Sequence, residues 1–151
     1  MNEPTNPLRE SDFMQALLDL VIPPSADGRM PGAGSLGIAP TLADVIEADR
    51  QLGPVAVAGL RALRTAALAR DPAGLSGLTL PDRRDVVEAQ FAGHPMFMNA
   101  LLRFVYPAYY QHPRVLESLG EPPRPPFPEG YEVEATDARL LEKLHARRRG
   151  V

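Results

Sequence analysis

The sequence predicts an all-α protein, a small irregular helical bundle with long Pro/Gly-rich loops and an extended C-terminal arm. Apolar residues recur at helical spacing in several segments, whereas no segment alternates as a half-buried strand would. The 17 prolines and 12 glycines are concentrated in residues 23–40, 71–81 and 120–130, which we interpret as loops between helices. A chain of 151 residues is long enough to form one domain, residues 1–151, with a real core.

The first helix is predicted to begin with Ser11 as its N-cap, and an apolar stripe follows at helical spacing. Pro23 stops that helix. Residues 23–40 show no periodicity, and a loop of this length in a compact domain is usually functional or mobile. Thr41 is predicted to cap the second helix, which is broken at Gly53.

Pro54 suits the first turn of the third helix. The residues of this helix predicted to face the core are Val57, Leu60, Leu63, Ala67 and Leu68. Thr79 begins a capping-box pattern that opens the fourth helix. Pro95 opens the fifth, whose only charged residue is Arg103, and a helix so apolar is expected in the centre of a bundle.

Pro107 is expected to bend or end the fifth helix. A short turn over residues 113–120 and the proline-rich arm, residues 120–135, follow it. Thr136 is predicted to cap a terminal helix, residues 136–149. Its last three residues are arginines, which suit a helix C-terminus and are usually solvated, with a binding role as the alternative.

Composition excludes several classes of protein. The net charge of −3, from 16 basic and 19 acidic residues, gives no electrostatic footprint for nucleic acid. The absence of cysteine excludes disulfides, thiolate metal sites and cysteine nucleophiles. No apolar run approaches the roughly 20 residues of a membrane span.

The first residues, MNEPTNPLRESDF, contain no twin arginine, basic n-region or apolar h-region. As given, the chain is therefore expected to be cytoplasmic. It would be periplasmic if a twin-arginine signal had been removed.

The segment GAGSLG, Gly32–Gly37, satisfies the GxGxxG pattern of dinucleotide-binding loops. A true fingerprint follows a strand and opens a helix, so that the helix N-terminus meets the pyrophosphate. Here Met30 and Pro31 precede the glycines and Pro40 follows closely, with no strand before them. We interpret the segment as a glycine-rich turn.

Metal binding is not predicted from the three histidines, His94, His112 and His145. No pair of them has the i, i+4 spacing that places two ligands on one helical face, and no HExxH occurs. His94 and His112 are better interpreted as N-caps or polar contacts.

Catalytic patterns are equally weak. No nucleophile elbow occurs, and the serines fall in loops or caps. The acidic residues Asp82, Asp85 and Glu88 lie in the first turns of a helix, where they complement the helix dipole. We therefore expect no catalytic residues, cofactor-binding residues or metal ligands in this chain.

The arm is the most informative segment. Five of the seven residues from Pro122 to Pro128 are prolines, which lack a backbone donor and favour polyproline II. Such a segment is either a disordered spacer or a strap across another surface, and the flanking aromatic residues favour the strap. The predicted partner contacts are Tyr109, Tyr110, Pro125, Pro126, Phe127, Pro128 and Tyr131, followed by Arg29, Met30 and Pro31 of the long loop.

Tyr106 and Tyr110 would be i, i+4 neighbours on one helical face if the fifth helix continued past Pro107. Half-exposed tyrosines mark interfaces, whereas buried ones need partners for their hydroxyls. The tyrosine cluster therefore either marks an interface or closes the core at the helix end.

Two motifs resemble those of a known family. DLVIPPSADGRMPGAGSLGI, Asp19–Ile38, resembles the opening of the gluconate 2-dehydrogenase subunit 3 family. FVYPAYYQHPRVLESLG followed by PFPEGYEVE resembles its later signature, with a tyrosine pair, a short helix and a proline-glycine arm. The closing ATDARLLEKLHARRRG is also similar, so the resemblance extends from about Phe13 to Gly150.

The resemblance implies a non-catalytic small (gamma) subunit. In the family, this subunit stabilises a large FAD-dependent dehydrogenase of the glucose-methanol-choline type that acts on sugars or alcohols. Many such complexes include a cytochrome c subunit, and the small subunit commonly carries a twin-arginine signal. The segment with that signal is missing here, which suggests a cytoplasmic complex or a processed form.

Three hypotheses follow. The first is the accessory subunit of a flavoprotein dehydrogenase, with FAD in the partner and no cofactor in this chain. The second is a stand-alone helical domain whose apolar fifth helix, residues 95–110, lines a pocket for a small ligand. The third, a stand-alone enzyme, is the least favoured because no catalytic constellation can be assembled.

Overall fold

A computed structural model describes residues 6–124 and 137–149. Within these ranges the protein contains α-helices, short 3₁₀ helices and no strand, which confirms the predicted all-α bundle. The α-helices are α1 Ser11–Val21, α2 Ala39–Ala48, α3 Gly53–Leu68, α4 Leu80–Gly93, α5 Pro95–Tyr110, α6 Pro113–Leu119 and α7 Ala138–Arg149. The 3₁₀ helices are Pro7–Arg9, Ala33–Leu36 and Gly74–Ser76.

Several helix starts are confirmed. Pro54 and Pro95 lie in the first turns of α3 and α5. The Thr79 hydroxyl accepts the backbone N–H of Asp82 and so caps α4. His112 caps α6, because its Nδ1 accepts the N–H of Arg114 at 3.3 Å, whereas His94 occupies the N-cap of α5 without such a bond.

Two predicted caps are wrong. Ser11 is the first residue of α1, and Glu10 precedes it as the N-cap. Thr41 lies inside α2, which begins at Ala39 with Pro40 in its first turn. Helix α1 therefore begins at the hydroxyl residue itself, and α2 begins two residues before its hydroxyl residue, where Pro40 suits the first turn. The predicted cap Thr136 lies outside the described residues; within them, Asp137 Oδ1 accepts the N–H of Arg139 at 2.9 Å.

One apolar core joins α1 to α6. Helix α3 packs against α2, α4 and α5, so α3 and α5 share the middle of the bundle. Of the predicted core residues of α3, Leu60, Leu63 and Ala67 are fully buried. Val57 is half-buried, and the prediction for Leu68 is wrong because it is 39% exposed at the end of the helix.

The crossing of α3 and α5 depends on a glycine. Gly59 is buried on α3, and a Cβ added there would overlap the ring of Phe97 on α5. Phe97 also contacts Phe91, with ring centroids 5.5 Å apart. The missing side chain therefore lets an aromatic ring lie directly on the backbone of α3.

The glycine-rich turn packs on α1. The N–H of Gly34 donates to Asp19 Oδ1 at 2.8 Å, and a Cβ on Gly34 would overlap the carbonyl oxygen of Gln15 and the Asp19 carboxylate. The GAGSLG segment thus forms a 3₁₀ turn against a helix, and no strand precedes it within residues 6–31. This placement agrees with its interpretation as a turn.

Candidate partner-binding surface

Helix α5 has one buried side and one exposed side. Its buried stripe consists of Phe97, Ala100, Leu101, Phe104, Val105 and Tyr109. The other side, which we call the α5 outer face, consists of Met96, Asn99, Leu102, Arg103, Tyr106 and Tyr110. Helix α5 lies in the middle of the bundle, as expected, but one apolar side of it faces outward.

Large side chains on the α5 outer face are well exposed. Met96 is 62% exposed, Tyr106 45% and Tyr110 50%. Arg103 carries the only charge on this face. A surface of this composition, aromatic residues and methionine with few charges, is typical of the centre of a protein–protein interface.

The tyrosine pair exists because α5 continues past Pro107. Pro107 was expected to bend or end the helix. It does not end the helix, which continues to Tyr110. Tyr106 and Tyr110 therefore meet on one face, with ring centroids 6.3 Å apart. This confirms the conditional i, i+4 prediction.

Tyr109 belongs to the core. It is 1% exposed, its ring meets that of Tyr110 edge-on at 5.1 Å, and its hydroxyl donates to the carbonyl oxygen of Pro31 at 2.8 Å. Burial, and to a lesser extent Tyr110, raises the pKa of Tyr109. The inclusion of Tyr109 among the partner contacts is thus wrong, because this chain already covers its side chain.

Three shallow cavities adjoin the α5 outer face. One of about 580 Å³ lies between α3 and the start of α5 and ends at Met96. A second, of about 490 Å³, extends from Met96 to Tyr106 and Pro107. A third, of about 290 Å³, lies between α1, α4 and α5 and includes Leu102 and Tyr106. Shared lining residues make the three cavities one continuous, mainly apolar surface.

The long loop presents the second group of predicted contacts. Arg29 is exposed and pairs with the Asp27 carboxylate at 2.8 Å. The Ser25 hydroxyl, followed by the backbone N–H of Arg29, lowers the pKa of Asp27. Met30 and Pro31 are half-buried, and Met30 packs against the core. Arg29 is therefore the most accessible of the three.

Tyr109 links two of the other predicted contacts, because its ring meets that of Tyr110 and its hydroxyl donates to the carbonyl oxygen of Pro31. The other predicted contacts, Pro125, Pro126, Phe127, Pro128 and Tyr131, lie outside the described residues.

The predicted contact set omitted Met96, Leu102 and Tyr106. Their spacing along an uninterrupted helix, i, i+6 and i+10, could have identified them, but Pro107 weakened the case for that helix.

Within the described ranges, no group of three or more His, Asp or Glu side chains could hold a metal ion. None of the helices in those ranges has the length and hydropathy required to cross a bilayer. Comparisons with models of protein families, with curated proteins and with solved structures gave no match.

Proposed function

We propose that this chain is a non-catalytic small subunit that binds and stabilises a large FAD-dependent dehydrogenase of the glucose-methanol-choline type. The observation that carries the proposal is the α5 outer face, on which Met96 and the tyrosine pair are exposed along a helix with one charge. The resemblance to the gluconate 2-dehydrogenase subunit 3 family supports the identity of the partner. In this proposal the partner holds FAD and oxidises a sugar or alcohol.

Binding would stabilise the large subunit by mass action, because the small subunit binds the folded and not the unfolded state of its partner. An obligate interface buries more than about 2,000 Å². Each Å² of apolar area removed from water stabilises the complex by roughly 25 cal/mol. This free energy offsets the entropy that is lost when side chains and loops of both surfaces become ordered. Tyrosines at the centre of such an interface commonly contribute most of the binding free energy.

The test is co-expression of the tagged chain with each flavoprotein dehydrogenase of the glucose-methanol-choline type that the same genome encodes. We expect the two proteins to purify together with flavin absorbance, and haem absorbance would add a cytochrome c subunit. The double variant Tyr106→Ser/Tyr110→Ser should weaken capture by about 1,000-fold, because each of the two interface anchors contributes about 2 kcal/mol of binding free energy.

The matched control is Val45→Ser/Leu80→Ser, which removes two equally exposed apolar side chains from α2 and α4. This variant should capture the flavoprotein as well as the wild type does. A chain that purifies alone from the co-expressing cells, or equal losses in the two double variants, would contradict the proposal.

A second candidate, a stand-alone domain for a small apolar ligand, is favoured by the cavity between α3 and α5. Its volume of about 580 Å³ is in the range of small-molecule sites, and its lining is almost entirely apolar, including Ala58, Gly59 and Ala62. Titration with anilinonaphthalene sulfonate tests this candidate. The ligand-binding candidate would be favoured over the accessory subunit by two results together. The dye would fluoresce with the wild type but not with Ala58→Trp, and neither protein would capture a flavoprotein.

A further inference from the structure

Helix α7 carries a basic stripe. Arg139, Lys143 and Arg147 recur every fourth residue, which places them along one face of the helix. All three side chains are exposed. Every other side chain of α7 that the structure describes, at Glu142, His145 and Ala146, is exposed as well.

Positive charge is concentrated in this helix. Residues 138–149 contain five basic side chains and one acidic side chain, whereas the other residues of the chain contain 11 basic and 18 acidic ones. The basic helix therefore attracts anions, whereas the rest of the chain, which is acidic, repels them. The preferred ligand of α7 is therefore anionic.

The sequence of α7 adds an apolar component. Leu140, Leu141 and Leu144 have the i, i+1, i+4 spacing of an apolar stripe next to the basic one. Basic stripes beside leucines are typical of helices that lie in the interface of a membrane, where arginine and lysine contact lipid phosphates and the leucines enter the acyl boundary. Nucleic acid would use the arginines but not the leucines.

We propose that α7 binds the surface of an anionic lipid bilayer. The helix is about 18 Å long, from 12 residues at roughly 1.5 Å each, so it lies on the membrane and does not cross it. This binding is independent of the proposed function, since it uses another helix and other residues.

Each arginine or lysine near an anionic bilayer strengthens binding by about 5-fold. Loss of the three stripe residues should therefore reduce the partition coefficient by about 100-fold. Because these charges are exposed, the binding should also fall steeply with ionic strength, as the Debye length shortens from about 10 Å at 0.1 M salt to about 3 Å at 1 M.

The experiment measures flotation of the full chain with vesicles of phosphatidylcholine containing phosphatidylglycerol, and with vesicles of phosphatidylcholine alone. The test variant is Arg139→Gln/Lys143→Gln/Arg147→Gln, because glutamine keeps helix propensity. The control, Arg50→Gln/Arg61→Gln/Arg114→Gln, removes the same charge from three exposed arginines of the bundle. Circular dichroism verifies that both variants remain helical.

We expect binding to the anionic vesicles only, an approximately 100-fold loss in the α7 variant, and little loss in the control. Equal losses in both variants would overturn the proposal, since binding would then follow net charge. Equal binding to neutral vesicles would overturn it too. Capture by polyglutamate beads without any vesicle binding would assign α7 to an acidic protein surface instead.

Discussion

The Tyr109 hydroxyl donates a 2.8 Å hydrogen bond to the carbonyl oxygen of Pro31, 78 residues away in the sequence. The bond joins the last turn of α5 to the loop that follows α1. Because the ring of Tyr109 also contacts Tyr110, the loop, the buried tyrosine and the exposed tyrosine form one connected group. Tyr109 therefore links the end of the α5 outer face, at Tyr110, to the loop at Pro31.

Tyr109→Phe should lower the free energy of unfolding by about 1 kcal/mol, because it removes this hydrogen bond while keeping the buried ring. Urea unfolding measures the change. Tyr110→Phe is the control, since the Tyr110 side chain is half-exposed and its hydroxyl can hydrogen-bond to water. This change should alter stability by less than about 0.5 kcal/mol. Equal stability of Tyr109→Phe and wild type would mean that the bond contributes nothing.

Alkaline pH should destabilise the fold through the same residue. Burial raises the pKa of Tyr109 above its ordinary value of 10.0, so the folded state holds the phenol proton more tightly than the unfolded state. This contribution is complete below pH 10 and is lost as the pH rises through the raised value. From pH 9 upward, the melting temperature of Tyr109→Phe should fall less with rising pH than that of the wild type. An equal fall in both proteins would show that Tyr109 does not cause the alkaline destabilisation.

Gly59→Ala should destabilise the bundle by about 1–3 kcal/mol, because the new methyl group would overlap the Phe97 ring and force α3 and α5 apart. Gly93→Ala is the control, since no atom lies within 4 Å of a Cβ added at that position. That change should be neutral or stabilising by up to about 1 kcal/mol. Similar denaturation midpoints for the two variants would show that α3 and α5 do not cross this closely.

Asp49 should support the turn between α2 and α3 at neutral pH. Its carboxylate accepts the N–H groups of Leu52 at 2.7 Å and Gln51 at 2.8 Å, and these bonds lower its pKa below 3.8. The stabilisation is present above pH 3.8 and is lost as the pH falls through the lowered value.

Asp49→Ala should accordingly lower the melting temperature at pH 7, and its difference from wild type should shrink in acid. Asp85→Ala, which removes an exposed carboxylate of α4, is the matched comparison and should have a smaller effect at pH 7. A constant difference between Asp49→Ala and wild type across this pH range would count against the role of the carboxylate.

Local sequence signals located the helices well, because proline, glycine and capping side chains act on the backbone nearest to them. Pro54, Thr79, Pro95 and His112 open helices as predicted. The same reasoning misplaced the starts of α1 and α2. A hydroxyl residue near a helix start is compatible with both cap and first-turn positions, and packing chose between them.

The sequence by itself determined the helical class, the loops and the apolar character of α5. Only the tertiary structure decided which of its tyrosines are available to a partner. Tyr106, Tyr109 and Tyr110 lie within five residues of one another, but each residue turns the helix by about 100°. The core therefore covers Tyr109 and leaves the other two outside. The direction in which the core lies depends on α3 and the loop at Pro31, which contact α5 from distant parts of the chain.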